Sequence, residues 1–261
     1  MQRRISVPKT CKIIGLNVFI ALSACSASID GRDSSIPGIG SNAGPLAHWP
    51  LDESSGNRVD DTVGSRDGRW FDGNDDDLSE ESDAGLIGNA LKFTDSSPND
   101  NYIDLGDLGG STAESRSFTY SAWINIDGDA SGNDFIVSEA STNNSETKSG
   151  IKVNDGVVVA EIADDAGNSV EARGARNIAG TGWHHVAATA DGATLKLYVD
   201  GRLQRSQASL GSLGSITVNT ASIGMLNRGD PCCEVDGFID DVLVYSRPLT
   251  QSEIAQIFRG N

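Results

Sequence analysis

The chain has 261 residues, of which 22% are charged and 30 are glycine, and it carries a formal net charge of −17. That is a globular, turn-rich composition rather than a disordered one, and its charge repels nucleic acid and anionic membrane faces. Acidity also serves solubility, so it names no partner; acidic turns nonetheless supply the oxygen ligands that calcium takes.

The first segment reads as a targeting signal. Arg3, Arg4, Lys9 and Lys12 precede an apolar run from Ile13 to Leu22. A run of about ten residues is too short to span a bilayer as a helix and suits the apolar region of a signal peptide. Leu22-Ser23-Ala24-Cys25 resembles the bacterial lipobox, which implies cleavage after residue 24 and lipid on Cys25. Ser26 stands where an Asp would favour retention in the inner membrane, so an outer-membrane lipoprotein is expected, facing the periplasm or the cell surface. The alternative is an ordinary signal peptide with an incidental cysteine.

Residues 25–45 follow as the lipidated cysteine and a flexible linker of Ser, Gly, Asn, Asp and Pro. A single domain is expected over residues 46–261. Cys11 leaves with the signal, so the remaining pair is Cys232 and Cys233. Export places it in an oxidising compartment. Adjacent Cα atoms lie only about 3.8 Å apart, which leaves three states open: a strained vicinal disulfide, two free thiols or a bridge between chains.

The domain reads as strand, turn, strand. Phe118 to Ile126 has period two, with Phe118, Tyr120, Ala122, Ile124 and Ile126 on one face. Asn154-Asp155-Gly156 between Val153 and Val157 is a hairpin signal, and Asp191-Gly192 and Asp200-Gly201 turn the chain again. Phe238 to Tyr245 is the last strong strand. Only the tail departs from this pattern: Thr250 and Glu253 have capping-box spacing ahead of Ile254, Ile257 and Phe258. An all-β, two-sheet antiparallel sandwich or jelly roll with one short C-terminal helix is expected.

Three ordered segments carry a family resemblance. The first is Ala47-His48-Trp49-Pro50-Leu51-Asp52 with Asp61 and Asp67-Gly68. The second runs from Gly85-Leu86-Ile87-Gly88-Asn89 through Trp123. The third combines Gly182-Trp183-His184-His185-Val186 with Leu197-Tyr198-Val199-Asp200-Gly201 and Gly237 to Leu249. In this order they resemble the laminin-G-like, concanavalin A-like jelly rolls. The resemblance implies two stacked antiparallel sheets, adhesion or recognition of carbohydrate or protein, and calcium in some members. It puts calcium candidates at Asp61, in the first rim loop, and Asp240, at the start of the last strand, with bonds to backbone amides at the sheet edge the alternative role for Asp240.

Two further loops have calcium-like oxygen spacing. Asp127 to Gly132 matches half of an EF-hand-like loop but lacks the closing Glu at Ser138, and Asp72 to Asp77 lacks the turn glycine. Both also read as polar hairpin loops. For a sugar, the candidates are Trp70, beside Asp72 and Asn74, and Trp123, opposite in parity to Phe118 and Tyr120. Trp123 either lies on an open sheet face or is covered and belongs to the core.

Catalysis finds little support. Laminarinase-like relatives carry Glu-x-Asp-x-x-Glu on one strand; Glu234-Val235-Asp236 begins such a pattern, but its sixth position is Ile239. His184 and His185 lie on a structural strand, where one side chain is expected to bond a backbone group, and His48 is likewise expected to be structural. The expected function is a non-catalytic carbohydrate-binding or adhesion domain held at the envelope by lipid. The alternatives are a protein-binding envelope component and, behind it, a glycan-active enzyme.

Overall fold

The computed structural model describes residues 44–260 apart from 73–76, 80, 95–100, 109–111, 129–131 and 147, and only the backbone of 205–207. The signal segment, Cys25 and most of the linker lie outside the described residues.

Among the described residues, sixteen strands and two α-helical segments follow in chain order. They are β1 (Ala47–Trp49), β2 (Arg58–Val59), β3 (Gly68–Phe71), β4 (Ser82–Ala84), β5 (Asn89–Phe93) and β6 (Tyr102–Gly106). A single helical turn, α1 (Thr112–Ser115), precedes β7 (Ser117–Ile126), β8 (Asn133–Ala140), β9 (Lys148–Asn154), β10 (Val157–Ala163) and β11 (Ser169–Asn177). The rest are β12 (His184–Asp191), β13 (Thr194–Val199), β14 (Arg202–Ser209), β15 (Thr220–Ile223), β16 (Gly237–Tyr245) and the C-terminal helix α2 (Gln251–Arg259). The short turn α1 is the addition to the expected helix content.

The strands form two antiparallel sheets. Sheet A runs β14-β13-β12-β7-β16-β5-β4, with β1 also paired to β16. Sheet B runs β11-β10-β9-β8-β15-β6-β3-β2. The inward-facing residues of both sheets make one hydrophobic core, including Phe118, Tyr120, Ala122, Ile124 and Ile126 from β7 and Ile151, Val153, Ala160 and Ile162 from β9 and β10. Period-two alternation therefore places Trp123 of β7 and Lys152 and Glu161 of β9 and β10 on outer faces.

The hairpin turns have the chemistry that their sequences suggest. Asp155 and Gly156 take φ of 48° and 78°, the left-handed pair that joins strands with a native twist. A Cβ at Gly156 would lie 2.3 Å from Asn177, so space as well as φ requires glycine there. Helix α2 has its capping box: Thr250 N donates to Glu253 Oε2 at 2.7 Å, and Glu253 N donates to Thr250 Oγ1 at 3.3 Å.

Candidate functional site: the two outer faces and the sandwich edge

The outer face of sheet A is closed where the tail and helix α2 cross it. Ala187, Tyr198, Leu243 and Tyr245 point outward and pack with Leu249 and Ile254 of the tail and helix α2. Thr119 ties the tail down, donating to Arg247 O at 2.9 Å and accepting from Leu249 N at 2.8 Å. Phe258 of α2 stacks on Trp123 with ring centroids 5.6 Å apart, leaving Trp123 6% exposed. Trp123 is therefore a covered residue, not an open stacking platform, because the helix that seals it arrives from far along the chain.

His185 lies under the same cover. Its Nε2 is 2.8 Å from Ser121 Oγ, and burial pushes its pKa down to about 4. His184 meets Asp200 at 3.0 Å and Thr181 at 2.8 Å. Both rings bond side chains rather than the backbone group expected for one of them. His48 bridges Asp241 and Thr62.

The second expected platform is also turned inward. Trp70 belongs to β3, is fully buried and packs edge-on against Phe93 at 5.3 Å. Its neighbours Arg69 and Phe71 face outward on sheet B instead. Phe71 lies opposite Tyr102 on β6, their rings stacked at 5.2 Å, and the Arg69 guanidinium sits over Phe71 at 4.7 Å.

Across the outer face of sheet B, the register aligns one row of side chains. Arg69 pairs Asp104, Asp104 pairs Ser222, Ser222 pairs Ser138, Ser138 pairs Gly150, Gly150 pairs Glu161, and Glu161 pairs Glu171. Apart from Gly150, every member is polar. A strap beginning at Met225 crosses the middle. Met225 O accepts from Ser222 Oγ at 2.7 Å and from Ser138 Oγ at 3.2 Å, and Gly229 N donates to Ser141 O at 3.1 Å.

Within the strap, Leu226 and Cys232 form a two-way backbone bridge, and Cys233 O accepts from Phe135 N at 2.9 Å. Cys232 and Cys233 are joined as a vicinal disulfide, the first of the three states left open by the sequence. Leu226 packs with Phe135 and Ala140, and both cysteines rest against this small cluster.

Glu161 and Glu171, opposite each other on β10 and β11, are a carboxylate pair assembled from two strands, which no linear motif announced. Lys152 holds both: it bonds Glu161 directly and lies 3.2 Å from Glu171. Lys148 adds a contact to Glu161 at 3.5 Å and Arg173 one to Glu171 at 3.0 Å. Burial alone would raise the Glu171 carboxyl, but Lys152 and Arg173 hold it below the usual range. A glycosidase acid needs the opposite shift, to stay protonated near neutral pH.

The calcium candidates have backbone roles. Asp61 accepts from the amides of His48 at 3.0 Å, Val63 at 3.1 Å and Arg66 at 3.1 Å. Burial pushes its carboxyl up, yet these amides hold it below the ordinary value. Asp240 accepts from Leu86 N and Ile87 N at 2.9 and 3.0 Å, while its Oδ1 is buried without a partner. Desolvation raises its pKa to about 6. Calcium takes six to eight oxygens, and among the described residues no group of three or more His, Cys, Asp and Glu side chains is placed to hold a metal ion. Asp61 is taken up by backbone amides, whereas Asp240 commits one oxygen to two amides. The loops at Asp72–Asp77 and Asp127–Gly132 fall partly outside the described residues.

At one edge of the sandwich, β11 of sheet B and β14 of sheet A run beside each other. A cavity of about 430 Å³ opens there, with Val158, Ile178 and Val199 in its lining and Arg176, Arg202, Leu203 and Gln204 around it.

A laminin G-type model described as "Concanavalin A-like lectin/glucanases superfamily" matches residues 97–255, more than half of the chain. No curated protein sequence matches. Among solved structures, the botulinum neurotoxin serotype G binding domain superposes with a TM-score of 0.60 at 13% identity, over 82% of this chain and 50% of that one. The serotype D binding domain gives 0.59 at 17% identity, over 83% and 52%. The binding domain of neurotoxin DC, solved in complex with rat synaptotagmin II, gives 0.58 at 15% identity, over 80% and 52%. At these identities the likeness shows the fold, and the chain spans about half the length of each of these neighbours.

Proposed function

Because the chain belongs to the concanavalin A-like lectin/glucanase superfamily, we propose that it is a non-catalytic domain that binds carbohydrate on the outer face of sheet B. The observation that carries this reading is the state of the Glu161–Glu171 pair. It is the pair of carboxylates that the register sets opposite each other on this row, and it is locked to Lys152 with Glu171 held below its ordinary pKa. Glu171 is not arranged to donate a proton to a leaving group. Ser222, Ser138 and Glu161 of the row are buried; what remains accessible is its end at Arg69 and Asp104, beside the Phe71–Tyr102 stack, the mix of polar and aromatic surface with which sugars are held.

The Lys- and Arg-rich start, the apolar run and Leu22-Ser23-Ala24-Cys25 support export and lipid attachment at Cys25, with residues 26–45 as a tether to the envelope. A protein partner in the envelope or outside the cell is the alternative, since one structural neighbour was solved with a protein bound.

The test is a glycan-array screen of the purified chain, with and without EDTA, followed by a reducing-end assay on any glycan retained. Saturable retention without new reducing ends is expected. The backbone roles of Asp61 and Asp240 favour retention that survives EDTA. Release of new reducing ends would overturn the non-catalytic reading, and silence across the array by a folded chain would overturn the carbohydrate reading.

A further inference from the structure

The edge cavity has a charge character opposite to that of the chain. The protein has 37 acidic and 20 basic residues. Most of its described cations are engaged: Arg58, Arg66, Arg116, Lys148, Lys152, Arg173, Lys196, Arg228 and Arg247 all have hydrogen-bond or ion-pair partners. Arg176 and Arg202 are exceptions. Both are exposed, both line the cavity, and neither side chain has a hydrogen-bond or ion-pair partner among the described residues.

The carboxylate that shares this lining, Asp200, is already committed. It meets His184 Nδ1 at 3.0 Å and accepts from His185 N at 3.2 Å. Gln204 is likewise used, accepting from Ala175 N at 3.2 Å across the gap between β11 and β14. The uncommitted groups at the cavity are therefore two guanidinium ions above an apolar floor of Val158, Ile178 and Val199. Leu203 stands beside them 37% exposed, one of three large hydrophobic side chains among the described residues that are so open.

We infer that this cavity is a second binding site, for a carboxylate-bearing saccharide. Guanidinium donors match a carboxylate fork to fork. The apolar C–H face of a sugar ring matches Leu203 and the floor, and the volume lies in the range of small-ligand pockets. The long-range repulsion from a net charge of −17 is screened beyond about 8 Å at physiological salt, so the local pair of arginines governs the contact. The saccharide half of this inference rests on the proposed function; the anionic half rests on the cavity alone.

The test is calorimetric titration of the full chain with a hexameric oligogalacturonate and with its fully methyl-esterified form, which keeps the sugars and removes the charge. Binding of the acid is expected, with the ester at least about tenfold weaker, a difference of 1.4 kcal/mol. The double variant Arg176→Ala/Arg202→Ala should bind the acid no better than the wild-type chain binds the ester, while unfolding at the wild-type temperature. Leu203→Ala should weaken both forms alike. Equal affinity for acid and ester, full binding by the double variant, or no binding of the acid would each overturn the inference. If the acid fails while a neutral glycan is retained on the array, the edge site falls and the open-face function stands. If both fail, both readings fall.

Discussion

The two sheets carry similar alternation on their inner faces and opposite chemistry on their outer ones. Outside sheet A stand Trp123, Tyr198, Leu243 and Tyr245, which are apolar enough to hold a helix. Outside sheet B stand Asp104, Ser222, Ser138, Glu161 and Glu171, which are not. The first face is covered by α2. The second is crossed by a strap held by two serine hydroxyls and a small cluster around Leu226, which buries Ser138 and Ser222 and leaves Arg69 and Asp104 accessible. Outward residues thus decide which face of a sandwich takes an apolar cover and which a polar one.

The largest expected effect breaks the closed face. Trp123→Ala removes the surface on which Phe258 stacks, and should cost about 4 kcal/mol in urea unfolding, with early loss of amide protection in α2. Next comes the open face. Lys152→Met leaves Glu161 and Glu171 opposed without their shared cation and should cost about 3 kcal/mol. Adding Glu161→Gln should recover part of that loss, because the like-charge pair is gone. If the double variant is less stable than the single, the ion network has a role other than neutralising the two glutamates.

Smaller effects sharpen the contrast. Thr250→Ala removes one half of the α2 capping box and should cost about 1 kcal/mol, with the loss confined to the helix. Phe71→Ala should change stability by less than about 1 kcal/mol, yet weaken glycan retention on the open face. The same pattern is not expected at Trp70, whose substitution damages the core.

The smallest effect is the pH dependence of the wild-type chain, because two groups of sheet A oppose each other. His185, held neutral by burial with a pKa of about 4, contributes stability that is present above 6.5 and lost as pH falls through 4. Asp240, raised to about 6, contributes stability that is present below 3.8 and lost as pH rises through 6. Asp240→Asn keeps an acceptor for the Leu86 and Ile87 amides and removes the second slope. Its midpoint of unfolding should therefore fall more steeply than wild type between pH 6.5 and 4. An unchanged slope would show that Asp240 does not ionise in that range.

Sequence reading reached the sheets, the long-strand parity, the Asp155-Gly156 turn and the Thr250–Glu253 cap, since each depends on neighbours a few residues apart. It took Trp70 as a candidate beside the polar loop because β3 has only four residues, too few to show a period that would turn the ring inward. It missed Glu161 and Glu171 as a pair, although both lie at equal distance from the turn around Ala166 and hairpin symmetry could have matched them. It held a covered Trp123 as one of two alternatives but could not see that the cover is Phe258, nor the amides that occupy Asp61. Those partners meet only in the folded chain.

The central claim, that ligand is engaged on the sheet B side and never under α2, is tested most directly by amide hydrogen exchange of the chain with and without the retained glycan. The expected result is slowed exchange in β3, β6, β9 to β11 or the strap from Met225, with β12 and α2 unchanged. Protection centred on α2 and the outer face of sheet A would contradict it.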